Sequence, residues 1–343
     1  MVSTTVTPGF TMETLLKSIL ALFLMLALNA HATAATQSRT ESSRAYWAKR
    51  ITEAERLATF YSEEARKRNA PHLGTMFNEY HVPKHTCAVL GRMLGKEKLV
   101  GHLERWDKPA IETMMSEDDL TKLRLFVNSM DNFAEIAKTM LKASEPERIN
   151  LWNLECVGKH NIPASASIST AGIKTSFRVD GNTLFVVGNI EKGFGEAIAR
   201  AIAENPGIDT VAFGSAGGSL SDAIKAGSMI RALGLSTTLW SNCYSACTIA
   251  FLGGVRRLVW SPYAELGFHQ VSIYGVDISP GSDVYGIVAR YAANMGVNPR
   301  FLLAAMFSAT NEKIYVPEIK VLCEQDVVTW VQRACDGAGR RYQ

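Results

Sequence analysis

The second half of the chain alternates between strand-like and helical patterns, and this alternation restricts the fold more than any other feature of the sequence. From about residue 176 onward, β-rich segments at 183–187, 210–213 and 236–240 are separated by helical patterns. Strands and helices that alternate at this spacing are typical of βαβ units and a largely parallel sheet. We therefore expect an α/β fold whose ligands bind at the carboxyl ends of strands, near the beginnings of helices.

The first half has a helical pattern instead. Between about residues 42 and 143, apolar residues recur at steps of three and four, which places them on one face of each helix. Ser116 is followed three residues later by Asp119, a capping-box pattern that predicts the beginning of a helix. The apolar stripes are typical of core positions. No pattern of residues in this half indicates a catalytic or ligand-binding site. Residues 161–167 have the composition of a connecting segment.

The N-terminus has the pattern of a secretory signal peptide. Lys17 precedes an apolar run over residues 19–28, and small residues at 30–34 fit a cleavage site. A run of 10 residues is short for a membrane-spanning helix, which needs about 20. An uncleaved signal anchor is the alternative. We expect a periplasmic or secreted protein with no membrane span after cleavage. The predicted organisation is a signal peptide over residues 1–35, an α-helical region over 36–160 and an α/β domain over 161–343.

Six cysteines in an exported chain permit disulfides, and fifteen pairings are open. They are Cys87, Cys156, Cys243, Cys247, Cys323 and Cys335. Glu79, His81, His85 and Cys87 lie close together, but Pro83 would break a helix that stacked the two histidines. A polar turn beside a structural cysteine is the simpler interpretation, and we predict no metal site.

Composition excludes several classes of protein. The 343 residues include 36 Lys and Arg against 33 Asp and Glu, a net charge of +3 without a concentrated basic stretch. Nucleic-acid-binding proteins normally concentrate positive charge on one face, so we expect no nucleic-acid partner. The apolar share of 47% is ordinary for a globular protein. Neither a dinucleotide-binding glycine pattern nor an ATP-binding loop is present, and we predict no cofactor.

Three motifs follow strand-like segments in the second half. The first is the glycine-rich run 213–219, which lets backbone N–H groups approach a ligand closely. The second, 241–247, places Ser245 at the start of a buried helix, where free N–H groups can stabilise an oxyanion. The third, 266–270, contains His269, whose neutral imidazole can accept the serine proton. Each motif alone fits a structural role, as a tight turn, a helix cap or a structural histidine. Their order along the chain is what indicates a catalytic site.

The ordered motifs resemble the proteolytic subunit of the Clp protease, and more closely the exported Clp-protease-like periplasmic proteins of bacteria. The resemblance covers about residues 176–330. It implies the ClpP/crotonase fold, a spiral of ββα units, here preceded by the α-helical region. It also implies a peptide or unfolded-protein substrate and a homo-oligomer.

The resemblance assigns roles residue by residue. Ser245 would be the nucleophile and His269 the general base. The backbone N–H groups of Gly218 and Ala246 would form the oxyanion hole, with Gly217 shaping the turn.

The third member of the triad departs from the family pattern. The family has an aspartate shortly before a Pro-Glu pair, and the matching position here is Asn311. Asparagine can orient an imidazole by a hydrogen bond, but it cannot stabilise imidazolium by charge. Asp277, Asp283 and Asp326 are alternatives.

The sequence therefore predicts a serine peptidase in the exported compartment. A catalytically weak binding or assembly protein of the same fold is the main alternative, since Asn311 and the helical region motivate it. An acyl-CoA enzyme of the crotonase type is disfavoured by export and by the Ser–His pair. A Ser–Lys signal peptide peptidase is disfavoured because no lysine lies near the Ser245 motif.

Overall fold

A computed structural model describes residues 44–68, 81–111, 116–260 and 263–335. The predicted signal peptide over residues 1–35 lies outside them. The chain divides into two units between residues 53 and 54, and the predicted domain boundaries at residues 35 and 160 stay predictions. Within the described ranges, no helix is both long enough and apolar enough to cross a membrane.

The described part of the first half is helical, as predicted. The capping box is confirmed: the Asp119 backbone N–H donates to the Ser116 hydroxyl (3.2 Å), and the Ser116 N–H donates to the Asp119 carboxylate (3.3 Å). These two bonds satisfy backbone donors that the first turn of a helix leaves without partners. The helices of the described chain are α1 (residues 44–67), α2 (His81–Met93), α3 (Glu97–Val100), α4 (Glu117–Lys142), α5 (Glu145–Glu155), α6 (Phe194–Ala203), α7 (Leu220–Ala232), α8 (Ala246–Phe251), α9 (Asp283–Asn294), α10 (Pro299–Phe307) and α11 (Ile319–Glu324).

The second half is built on a seven-stranded sheet. Its order is β1-β2-β3-β4-β5-β9. Strand β6 also pairs with β4, at residues 243–244, whereas β5 pairs with residues 237–238. The β1–β2 pair is antiparallel and the other pairs are parallel. A mixed α/β fold with a parallel-rich sheet is therefore confirmed. The strands are β1 (Ser176–Asp180), β2 (Thr183–Val187), β3 (Thr210–Ser215), β4 (Ser236–Tyr244), β5 (Arg257–Val259), β6 (Leu266–Gly267), β7 (Ser272–Ile273), β8 (Val276–Asp277) and β9 (Trp330–Val331).

The apolar core lies between this sheet and helices α6 to α10. Strand β3 is buried from Val211 to Ser215, because elements cover both of its faces. Helix α8 is buried along its whole length. Large side chains from the strands and helices fill the core, among them Leu184, Ile198, Phe213, Phe251, Phe268 and Leu302.

Helix α5 joins the helical region to the sheet through two buried or half-buried carboxylates. Glu147 is 1% exposed and pairs with Arg178 of β1 at 3.0 Å. Glu155, at the end of α5, accepts hydrogen bonds from the Asn242 backbone N–H (2.8 Å) and from the Ser241 hydroxyl. The hydrogen bonds to Glu155 fix the last part of β4, where the sequence motif 241–247 begins.

The six cysteines form three disulfides, which selects one of the fifteen pairings. The sequence separations are 69 residues for Cys87–Cys156, 4 for Cys243–Cys247 and 12 for Cys323–Cys335. Because Cys87 is oxidised, its sulfur is not available as a thiolate ligand. Among the described residues, no three His, Cys, Asp or Glu side chains are grouped as metal ligands.

Candidate functional site

Strand register brings the three sequence motifs together. Strand β4 lies between β3 and β6, and Cys243 pairs with Ser215 on one side and with Leu266 on the other. All three strands run in the same direction, so the residues that follow them emerge at one edge of the sheet. Two residues beyond this register, Ser245 lies between the glycine-rich turn after β3 and the segment that leads from β6 to the histidine.

Ser245 occupies a sharp turn between β4 and α8. Its φ of 58° and ψ of −127° lie in a region that residues other than glycine rarely adopt. The turn is held by the Ser245 N–H, which donates to the Gly267 carbonyl (2.9 Å), and by the Thr248 N–H, which donates to the Ser245 carbonyl (3.0 Å). The strand predicted to end at residue 240 continues to Tyr244, and the helix predicted to start at Ser245 begins at Ala246. Ser245 is therefore the junction residue itself and not part of the first turn.

Gly217 packs directly against this junction. Its φ is +106°, and a Cβ added to it would lie 2.6 Å from the Ser245 Cβ and 2.8 Å from the Tyr244 carbonyl oxygen. Real Cβ atoms do not approach other heavy atoms so closely. A side chain at residue 217 would thus displace the serine, which is why the turn needs glycine there.

Gly218 presents its backbone polar groups to the site. The residues on either side of Gly218 form hydrogen bonds with Ile190. The Ile190 N–H donates to the Gly217 carbonyl (2.8 Å), and the Ser219 N–H donates to the Ile190 carbonyl (2.6 Å). In extended backbone, successive residues direct their N–H groups to opposite sides. The Gly218 N–H therefore points away from Ile190, and it has no hydrogen-bond acceptor within the described chain.

The Ala246 N–H is a second donor without an acceptor among the described residues. It belongs to the first residue of α8, and the first N–H groups of a helix have no partner within the helix. Ala246 immediately follows Ser245, so this donor lies beside the serine. Gly218 and Ala246, the two residues predicted for an oxyanion hole, thus each carry a backbone N–H without an acceptor in the described chain, and both line the same cavity as Ser245.

His269 is oriented by the backbone that follows it. Its Nδ1 lies 2.6 Å from the Gln270 carbonyl oxygen. A carbonyl oxygen can only accept, so Nδ1 carries the proton and Nε2 is the basic nitrogen. The segment itself is fixed by paired hydrogen bonds of 2.9 Å between Phe268 and Tyr315.

Ser245 and His269 line the same cavity, which has a volume of about 200 Å³. No hydrogen bond joins the two side chains in the described structure; catalytic hydrogen bonds often tighten only when substrate is bound. Apart from His269 and Gln270, the cavity walls are apolar or carry hydroxyl groups, and His269 is the only titratable side chain among the described lining residues. The apolar part of the wall consists of Leu220, Ile249, Phe268, Val271 and Met306.

Asn311 lies against a different element. Its side-chain amide donates to the Gly275 carbonyl (2.8 Å), and its backbone N–H donates to the Asp277 carboxylate (3.0 Å). Both partners belong to the β7–β8 hairpin. No hydrogen bond joins His269 to Asn311 or to the alternatives Asp277, Asp283 and Asp326 in the described structure. In the described structure, the imidazole of His269 is therefore oriented by its hydrogen bond to the Gln270 carbonyl.

Sequence reasoning missed two side chains that support the junction. The Tyr244 hydroxyl donates to the Glu265 carboxylate, and burial, with that hydrogen bond, raises the pKa of Tyr244. Tyr244 therefore stays neutral at ordinary pH. The Thr248 hydroxyl lies 3.0 Å from both the Cys243 and the Gly267 carbonyl oxygens. No pattern in the sequence marks these contacts, since each joins residues from different elements.

A larger cavity of about 570 Å³ lies between the helical region and the sheet. Trp240, Trp260, Tyr263 and Glu155 are part of its wall, but neither Ser245 nor His269 lines it. Size alone therefore does not identify the site, and the convergence of reactive groups favours the smaller cavity.

Comparison with known proteins gives a similarity to solved structures only. No family model matches the sequence, and no curated protein matches it. Among solved structures, ClpP1 from Listeria monocytogenes aligns with a TM-score of 0.36 and 15% identity, over 45% of this chain and 92% of that chain. At this TM-score the similarity assigns neither an activity nor a substrate.

Proposed function

We propose that this protein is a serine peptidase of the exported compartment, with a ClpP/crotonase-like domain that follows an α-helical region. The observation that carries the proposal is the shared cavity of Ser245 and His269, with Ser245 held at a turn of positive φ. Such a turn lifts a side chain out of the strand and exposes its hydroxyl, as in other strand-to-helix nucleophile turns.

In the proposed reaction, the Ser245 hydroxyl attacks the carbonyl carbon of a peptide bond while the hydroxyl proton moves to His269 Nε2. The same proton then leaves with the amine, and water hydrolyses the resulting ester by the reverse sequence. The Gln270 carbonyl favours this role because it keeps the proton on Nδ1, so that Nε2 can accept. Asn311 has no part in the proposed reaction.

Two backbone donors support the tetrahedral intermediate. The N–H groups of Gly218 and Ala246 are without acceptors in the described chain, and both residues line the cavity together with Ser245. Donors that are already oriented need not reorganise when negative charge develops on the substrate oxygen, and removal of one such donor typically costs about 10²–10³ in kcat. This pair would stabilise the negative charge on the substrate oxygen.

The site favours extended peptides that carry an apolar side chain. The N–H and carbonyl of Gly218 face away from Ile190, so a substrate strand could pair with this edge. The cavity beside Ser245 would take a side chain of the peptide, and its wall of Leu220, Ile249 and Met306 favours an apolar one. Backbone pairing gives affinity with little dependence on the rest of the sequence.

The disulfides support an oxidising compartment. All six cysteines pair within the described structure. Disulfides of this kind persist in exported proteins and are rare where thiols are kept reduced. Together with the signal-peptide pattern, they favour a periplasmic or secreted location.

A serine-directed probe tests the proposal. A fluorophosphonate should label the wild-type protein at one residue, identified by mass spectrometry as Ser245, and Ser245→Ala should not be labelled. His269→Ala should label at least about a hundredfold more slowly, because the base is missing. Ser308→Ala is the matched control: it removes an exposed serine hydroxyl outside the cavity. Absence of labelling, together with equal cleavage of casein peptides by wild type and Ser245→Ala, would exclude the peptidase.

A peptide-binding protein with little turnover is the second candidate. It is favoured by the partner of His269, since a neutral carbonyl cannot stabilise imidazolium as a carboxylate does. This candidate predicts equal peptide affinity for wild type and Ser245→Ala, measured by fluorescence anisotropy, with no product from either. Measurable cleavage that depends on Ser245 would exclude it.

A further inference from the structure

The disulfide Cys243–Cys247 encloses the candidate nucleophile. Cys243 is the next-to-last residue of β4, and Cys247 is the second residue of α8. Ser245 lies midway between them, so the bond closes a small ring around the junction. Both cysteines are fully buried, and neither lines the cavity.

The two ends of this ring are anchored separately. Cys243 is held in the sheet by its pairing with Ser215 and Leu266, and its N–H donates to the Glu265 carbonyl (2.8 Å). Cys247 is held by the helix. The bond therefore fixes the separation between a strand end and a helix start, and Ser245 has to bridge that separation.

General stability is a poor explanation for a bond at this position. A disulfide stabilises a fold chiefly by restricting the unfolded chain, and this effect grows with the length of the closed loop. The separation here is 4 residues, against 69 for Cys87–Cys156 and 12 for Cys323–Cys335. Of the three bonds, this one restricts the unfolded chain least, so its effect is expected to be local.

The local effect concerns the backbone of Ser245. A φ of 58° in a residue other than glycine is unfavourable and persists only when surrounding contacts impose it. If the junction relaxed, the Ser245 hydroxyl would move and the Ala246 N–H would turn with it. The close approach of Gly217 to Ser245 would be lost as well.

We propose that the Cys243–Cys247 disulfide is a positioning element of the active site, which holds Ser245 in its left-handed conformation and the Ala246 N–H beside it. The inference rests on the proposed function, because only a nucleophile needs this geometry. The bond acts on the chemical step and not on peptide binding, since the cysteines do not touch the cavity. Its loss should therefore lower kcat and leave KM unchanged.

The test compares two double variants of the full chain. Cys243→Ala/Cys247→Ala removes the proposed positioning bond, and Cys323→Ala/Cys335→Ala removes a bond of the same domain that is far from Ser245 in sequence. We expect the first to lower kcat and the rate of fluorophosphonate labelling at least about tenfold, with KM within about twofold, because small displacements of reacting groups are costly. We expect the second to keep both rates within about twofold while its melting temperature falls.

Amide hydrogen exchange gives a readout that does not need activity. Exchange in the segment 243–249 should accelerate in the first variant and stay at the wild-type rate in the second. If kcat and exchange both stay at wild-type values in the first variant, or if the control loses as much activity, the inference is overturned. A wild type that neither labels nor cleaves would refute the proposed function, and unchanged exchange would then separately refute the positioning of the junction by the disulfide.

Discussion

Replacement of Gly217 by alanine is the sharpest test of the site geometry. The new Cβ would lie 2.6 Å from the Ser245 Cβ, whereas ordinary contacts begin at 3.4 Å, so the two carbons must separate by about 0.8 Å. A displacement of about 1 Å at a reacting group can cost about a hundredfold in rate. We expect kcat on a fluorogenic peptide to fall about a hundredfold, and fluorophosphonate labelling of Ser245 to slow in parallel.

The same substitution also strains the backbone, and a matched variant separates the two effects. Gly217 has a φ of +106°, and Gly234 has a φ of +68° with no heavy atom within 4 Å of its added Cβ. Gly234→Ala therefore carries a backbone cost of about 1–2 kcal/mol without a clash. It should lower the free energy of unfolding by that amount in urea and leave kcat unchanged. If Gly217→Ala kept kcat within threefold of wild type, the proposed contact between the glycine turn and the nucleophile would be refuted.

Three further predictions concern stability and the third triad position. Replacing Cys87 and Cys156 together by alanine should lower the free energy of unfolding in urea by about 4 kcal/mol, because the bond spans 69 residues; a loss below about 1 kcal/mol would contradict the loop-entropy reasoning. Burial acts to raise the pKa of Asp222, but hydrogen bonds from Ser219 and from backbone N–H groups outweigh it and hold that pKa below its ordinary value. The carboxylate thus stabilises the fold above about pH 4, and this stability is lost as pH falls through the folded-state pKa. Asp222→Asn should therefore melt below wild type at neutral pH and approach it near pH 2, whereas parallel melting curves would contradict the assignment. Asn311→Ala should lower kcat less than about threefold, because its amide donates to a carbonyl in the β7–β8 turn; a hundredfold loss would place Asn311 on the imidazole after all.

Local patterns predicted individual elements well where one stretch of sequence decides the outcome. Strand β2 has the predicted bounds, residues 183–187, because the segment is rich in β-forming residues and turn residues flank it. Ser219 caps α7 within the same stretch of sequence, with its hydroxyl accepting from the Asp222 N–H (3.3 Å). Strand β4 is longer than predicted, since the polar pair Ser241 and Asn242 is held in the strand by Glu155 from the helical region. That contact joins residues more than 80 positions apart, and no local pattern contains it.

The candidate site was predictable in its residue types and less so in its partners. The hydroxyl and the imidazole were identified from motifs that follow strands, and the two N–H donors were assigned by the family resemblance. The contact that orients His269 was not, because it is made by the backbone oxygen of Gln270, and every residue has such an oxygen. The disulfide around Ser245 was equally hidden, since six cysteines admit fifteen pairings and their spacing does not choose among them.

Register, and not sequence spacing, determines whether these groups can react. Cys243 pairs with Ser215 and Leu266 at once, so the three motifs are aligned by a single residue of the central strand. A shift of one residue in either pairing would turn the side chains that follow to the opposite face. The chain fixes this residue by hydrogen bonds on both sides of the strand, by the Glu155 contact just before it and by its disulfide to α8. Several independent contacts thus hold Cys243, and the proposed nucleophile Ser245, two residues further on, would require such a fixed position. The Glu155 carboxylate at the end of α5 contributes to it by binding β4.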